Sequence, residues 1–491
     1  MHREGWTIAS GAVLMMTAAL LVGCGGGGGG ATAPVPSIFN INSSTTPSSP
    51  VGLPIEINGT GFQSAPGQVR FTQGSIVATV TPNASGWSDT GIVVVVPSGD
   101  GTTSFTVPGT VTVTVVTSGG TSNGVVVALV QTLTFNVNNV TWTTTTALPT
   151  ALTGLRAVVV PASNTSAFIV VTGGFDGTND TTTVLSNTLA PSGLVGSSWK
   201  AITTNALPES RAHHGMVVAH PGNSLVPANS RFIYVIGGQK SSTDTPGGTA
   251  TVFMASVDAT SGVVGAWSQL SNSLPEPLVG PAVTLFNGSI YVVGGLRPDG
   301  TPSSNVYSAQ VQSDGTLNAW AKSPNPYPVG ISFATAFGFA GKLYVLDGDT
   351  LVSLLPNDQG TAGVKDARFA PIRNGAVGTW TATNQTIKSR KKHITWSAFG
   401  QVINAEGIYE GSPGSTELER TVIQSDGTLG SWNGITASSN QINANVYNAA
   451  AVVSPLQSPT GTPRFLLLGG QAFATVPPGP LNAAVHVNNA P

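Results

Sequence analysis

The chain runs to 491 residues, room for two or three ordinary domains or for one small domain beside a large closed β architecture. Only 8% of it is charged, against about 25% in globular proteins at large, and the formal net charge is −2. So thin a charge makes no basic stripe to neutralise phosphates, which excludes nucleic acid as a partner, and a single cysteine excludes an intrachain disulfide and a multi-thiolate metal centre.

At the N-terminus, His2 and Arg3 precede an apolar stretch from Gly11 to Val22. The run is shorter than the ~20 residues of a membrane-spanning helix and reads as a signal peptide. It ends in Leu21-Val22-Gly23-Cys24 and six glycines. The tetrapeptide resembles the bacterial lipobox, whose cysteine thiol is diacylated before cleavage. That resemblance implies removal of residues 1–23 and an exported protein anchored to a membrane by lipid on Cys24. With Gly25 rather than Asp next, it implies the outer membrane in a Gram-negative host. Residues 24–37, rich in Gly and Pro, form a flexible tether.

From Ile38 the runs alternate with period two, as in Ile55-Glu56-Ile57, Val69-Arg70-Phe71 and Val111 to Val116, with turn clusters between them. This is the pattern of a β-sandwich. Ile57-Asn58-Gly59-Thr60-Gly61-Phe62, Trp87-Ser88-Asp89-Thr90-Gly91-Ile92 and Gly119-Gly120-Thr121-Ser122-Asn123 resemble the IPT/TIG domains, an immunoglobulin-like family. The domain is expected over 38–130, as a spacer. Glycines 59 and 61 are expected to supply backbone angles barred to other residues, and Phe62 to plug the sandwich end.

Past Val140 the chain repeats. An apolar strand ending in Gly-Gly recurs at Phe168 to Gly174, Phe232 to Gly238, Ile290 to Gly295 and Phe465 to Gly470, with degenerate copies at Leu343 to Gly348 and Gly407 to Gly411. A tryptophan after a glycine turn recurs at Trp199, Trp267, Trp320, Trp380 and Trp432. Six of the first mark and five of the second leave Trp142 as a closing strand that pairs with the C-terminal hairpin, Phe465 to Val487. These repeats, with Leu207-Pro208, Arg211 and His214 between blades, resemble kelch motifs. The fold expected is all-β, an immunoglobulin-like sandwich followed by a six-bladed kelch-like β-propeller over 139–491. The irregular stretch from Asp347 to Pro371 leaves seven blades open.

Galactose oxidase has a kelch propeller and a copper site built on a cysteine cross-linked to tyrosine; this propeller holds no cysteine, so such a site is excluded. Ser313-Asp314-Gly315 and Ser425-Asp426-Gly427 read as plain turns, His213 and His214 as hydrogen-bonding residues of a blade, and Glu209 and Glu276 as loop acids. No cofactor and no metal ligand set is expected. Strand order sends the loops after Gly-Gly and after the tryptophan strand to one face. Arg211, Arg297 and the run Lys388-Ser389-Arg390-Lys391-Lys392-His393 are the candidate ligand-binding residues there, either reading an anion such as an acidic glycan or forming a solvated loop. The function expected is a non-catalytic binding or scaffold module for a glycan or protein ligand. The alternatives are an extracellular carbohydrate-active enzyme with its site in the central pocket, against which the scarcity of acids and histidines weighs, and a purely structural envelope protein.

Overall fold

The computed structural model describes residues 33–491 except 43–46, 131–139, 163–165, 242–246, 352–362, 410–417, 436–445, 455–463, 473–483, 490–491 and the single positions 191, 222, 225, 228, 374, 399 and 425. Cys24 and the leader lie outside the described residues.

The alternating runs after Ile38 become strands in two sheets. One is ordered Ser37–Ile41, Pro54–Thr60, Gly91–Val95; the other Ser48–Pro50, Val125–Val130, Gly109–Thr117, Gln68–Gln73, Ile76–Val80, with Gly120–Thr121 beside Gly109–Thr117. Successive side chains leave opposite faces of a strand. Ile55 and Ile57, Val69 and Phe71, and Val111, Val113 and Val115 therefore all turn into one shared core, giving an immunoglobulin-like sandwich. Gly61 has a positive φ of 71°. Gly59 corrects the expectation, because what it supplies is space: a Cβ there would lie 2.4 Å from the Phe62 ring and 2.0 Å from the Ser37 carbonyl oxygen. Phe62 is fully buried against Trp87, whose indole N–H donates to the Phe62 and Gln63 carbonyls at 3.1 and 3.0 Å.

From Val140 the described residues build six larger antiparallel sheets, five of four strands and one of five, and two two-stranded ones, Arg390–Lys391 with Ile408–Tyr409 and Val446–Tyr447 with Gln471–Ala472. The innermost strands of the six larger sheets are Arg156–Pro161, Gly215–Ala219, Ala282–Phe286, Thr335–Phe339, Ile394–Ala398 and Ala450–Ser454, which define blades one to six. Each neighbours the next and the sixth neighbours the first, so the ring closes as a six-bladed kelch-like propeller. Blade four is the irregular one: its third strand, Ala367–Arg373, pairs with both Ala376–Val377 and Thr381–Ala382. In blade six the outermost strand is Val140–Thr144, with Trp142 opposite Val487 in the strand Ala484–Asn489.

The repeated residues hold blade to blade. Trp199, Trp267, Trp320, Trp380 and Trp432 each donate the indole N–H to a carbonyl in the linker before their own blade, those of Thr146, Asn205, Asn272, Asn325 and Asn384, at 2.9–3.2 Å. Tyr234 and Tyr344 donate their hydroxyls to the Gly315 and Gly427 carbonyls in the following blade at 2.6 and 2.7 Å. Burial in these contacts raises both phenols by desolvation, with Asp314 and Asp426 adding in the same sense. Those two glycines sit in the turns in which Asp314 and Asp426 accept the backbone N–H of Thr316 and Thr428.

The sandwich rests on the turns between first and second strands. Buried Glu56 accepts from Asn287 of blade three, a Cβ on Gly341 of blade four would lie 3.2 Å from its carboxylate, and one on Gly400 of blade five 2.9 Å from Leu53. Desolvation raises the Glu56 pKa against the pull of Asn287, Arg373 and Lys342. The opposite propeller face carries the loops between second and third strands and those between blades.

Candidate functional site

On that opposite face the chain turns into each inner strand through one residue of positive φ: Gly154, His213, Gly280, Phe333, Lys392 and Asn448, at 65°, 53°, 61°, 51°, 55° and 57°. The backbone N–H of each donates to the carbonyl of its counterpart in the preceding blade, Gly154 to Asn448 included, at 2.8–3.2 Å. Six hydrogen bonds thus close a ring around the axis. A second cycle surrounds it. The last glycine of each Gly-Gly, or its equivalent, donates to the residue two before the next ring member: Gly174 to Arg211, Gly238 to Leu278, Gly295 to Ile331, Gly348 to Arg390, Gly407 to Val446 and Gly470 to Leu152, at 2.7–2.9 Å.

In the degenerate copies the first glycine is replaced by Asp347 or Glu406, each held at positive φ, 50° and 57°. Strain of this kind costs on the order of 1–3 kcal/mol for a non-glycine residue and needs compensation from its surroundings. The compensation is a buried polar sector in blades four to six. Asp347 accepts from Asn404 Nδ2 at 2.8 Å, and its other oxygen lies 2.6 Å from Thr386 Oγ1, which is also 3.0 Å from the Lys388 carbonyl. One hydroxyl proton serves one of those acceptors. Thr386 donates to Asp347, and desolvation holds the Asp347 pKa well above the usual carboxylate range against the pull of the Thr386 and Asn404 hydrogen bonds and the Arg390 charge. Beyond Asn404 the same logic runs to the axis. Thr395 donates to Asn404 Oδ1 at 3.1 Å, Thr335 to Thr395 at 2.7 Å, and His393 Nε2–H to Thr335 at 3.0 Å. His393 is neutral, its pKa brought down to about 3 by desolvation and the Arg390 charge.

The basic run lies in this interior rather than in a solvated loop. Ser389, Arg390, Lys391, Lys392 and His393 are all buried and Lys388 is half-buried. Consecutive residues of the turn leave in different directions. Arg390 meets Glu419 at 3.0 Å and the Glu406 carbonyl at 2.7 Å, Lys391 meets Asp349 at 2.7 Å, and Lys392 stands 5.0 Å over the Phe333 ring. The Glu419 carboxylate also accepts the Ile387 and Lys388 N–H groups, so it is well satisfied. Arg211 is likewise buried, bound to Glu209 at 2.8 Å and to the Ser210 carbonyl at 2.9 Å, and stacked over Phe253. Arg297 remains partly exposed but spends its guanidinium on Glu276 at 2.9 Å, on Ser303 and on the Pro302 carbonyl. Glu209 and Glu276 are therefore counterions, held below the usual range by those bonds against desolvation.

No known family profile matches the chain. It is similar to beta-scruin of Limulus polyphemus, a kelch-repeat protein. The two are 32% identical over 151 residues, a span that covers 30% of this chain and 14% of that protein. The likeness agrees with the repeated blades.

His213 and His214 take interior positions, as expected of blade residues. His213 fills the space beside Gly154 edge-on to Phe333, at 5.5 Å, and His214 Nε2 lies 2.8 Å from Thr172. Residues that the motif reading missed are Asp349, Glu419 and Asn448. Their partners in the fold are distant in sequence, and no local pattern marks them.

Proposed function

We propose that this is an exported lipoprotein, held to a membrane by lipid on Cys24, whose propeller is a non-catalytic binding or scaffold module for a protein partner and whose IPT/TIG-like sandwich is its spacer. The observation that carries the partner class is the balance of surface on the loop face. Its candidate cations Arg211, Arg297, Arg390 and Lys391 are matched by acids, while Val329, Leu351 and Ile387 are large, apolar and exposed in loops of blades four and five. Apolar side chains gathered at one end of adjacent blades favour a protein surface over an acidic glycan. Likeness to a kelch-repeat protein supports a binding role.

The test places a photo-crosslinking residue at Leu351 or, as a control, at exposed Val77 of the sandwich, in cells labelled with an alkyne fatty acid. A discrete protein adduct from Leu351 and not from Val77, with label lost in Cys24→Ser, is the expected result. Adducts absent from Leu351 would end the loop-face reading, and label retained in Cys24→Ser would end the anchor.

A further inference from the structure

Beneath the six-residue ring lies a cavity of about 200 Å³, lined by the first residues of all six inner strands. Much of its lining is small and apolar, including Ala157, Ala282, Ala336 and Ala451, and no Asp or Glu is part of it. Its polar side chains are Thr335 from blade four, Lys392, His393 and Thr395 from five, Asn448 from six and Arg156 from one.

We propose that this axial cavity binds a small carboxylate anion, and a 2-hydroxycarboxylate in preference to a plain one. Arg156 donates to the Leu155 carbonyl at 2.8 Å and has no acid partner among the described residues. A guanidinium carries five N–H donors in a planar fork, so one such bond leaves an edge for a bidentate carboxylate. Partial desolvation brings its pKa down to about 10, which leaves it charged at neutral pH, and a half-buried cation with no acid beside it is favoured by an anion. Asn448 Nδ2 is a second donor, buried and without an acceptor among the described residues. His393 supplies the complementary group: with Nε2–H given to Thr335, its Nδ1 is a buried acceptor with no described donor. A carboxylate across Arg156 and Asn448, with an adjacent hydroxyl donating to His393, satisfies all three. The loop-face partner plays no part in this site.

Calorimetric titration of the full chain with glycolate, acetate and the neutral methyl glycolate, at pH 7 and fixed ionic strength, tests it. Expected are saturable binding of both carboxylates, glycolate tighter, no binding of the ester, and at least about tenfold weakening in Arg156→Gln. Should that variant fail to fold, Arg156→Lys keeps the charge and loses the fork, and weaker acetate binding is expected of it. Failure of both carboxylates to saturate the wild type, ester binding as tight as glycolate, or unchanged affinity in a folded Arg156 variant would overturn the site. Equal affinities for acetate and glycolate would overturn the role given to His393.

Discussion

Glu406 precedes Gly407, which lies against His393 at the blade-five turn, and burial moves the pKa values of Glu406 and His393 in opposite directions. Desolvation pushes the Glu406 carboxyl from 4.5 up to about 8, opposed by the Val446 N–H and the Arg390 charge, and brings His393 from 6.5 down to about 3. A carboxyl with a raised folded pKa stabilises fully below 4.5 and loses that contribution as the pH rises through 8. A histidine with a lowered one stabilises fully above 6.5 and loses its contribution as the pH falls through 3. His220, brought down to about 4, and His214 act in the same sense as His393, and Asp347 in the same sense as Glu406. Stability is therefore expected to peak between about pH 4.5 and 6.5, where the two limbs offset each other. Glu406→Gln should flatten the loss between 6.5 and 8 and raise stability at pH 8 by on the order of 1 kcal/mol, with the acid limb unchanged. Melting curves across this range check it; an alkaline slope identical to wild type would show that Glu406 is not the titrating group.

At the scale of strands and turns, the legible features were those whose physical cause is local. An apolar run closed by Gly-Gly announces a buried strand and a turn of positive φ, and four such copies gave four blades outright. The other two were harder because Asp347 and Glu406 keep the conformation while losing the residue that marks it. Their compensation comes from Thr386, Asn404 and Arg390, in other strands. The basic run misled for a similar reason: Glu419 and Asp349 lie 29 and 42 residues from the cations they match, so a buried ion-pair sector reads in sequence as a solvated charge cluster. The glycines offer a quantitative check, since positive φ and lack of space are separable. Gly294 has φ 64° and a Cβ there would lie 2.1 Å from the Ile331 carbonyl oxygen, whereas Gly288 has φ 71° and its nearest neighbour is Ser224 Cα at 4.0 Å. Gly288→Ala should cost about 1 kcal/mol, the conformational term alone. Gly294→Ala should cost ~3 kcal/mol or more, because the staple to blade four must also shift. Denaturant titrations giving the two variants equal midpoints would mean that the close approach is not rigid.

For the whole molecule the decisive interactions join residues far apart in the chain. Glu56 reaches Asn287 across 231 positions, and this contact, which no local pattern reveals, helps seat the sandwich on the propeller. Ring closure was foreseeable because it follows from counting: five tryptophan strands for six Gly-Gly strands leave one blade to be finished from upstream. Val140–Thr144 does so by pairing along its whole length with Ala484–Asn489. Without it the latter would become an unpaired edge, the template on which β-proteins associate. Deleting 140–144 leaves intact the neighbouring contacts of Thr145 and Thr146 with Val195 and Trp199, so the change isolates the closing strand. The variant is expected to form dimers and larger species in sizing columns and to melt over a broader range, as blade six detaches from a ring it no longer completes. A synthetic peptide spanning residues 138–146, added in excess, should restore the monomer and sharpen the transition, because the edge it pairs with is still present. A monomeric deletion variant with the wild-type melting curve would mean that packing between inner strands holds the ring without this strand.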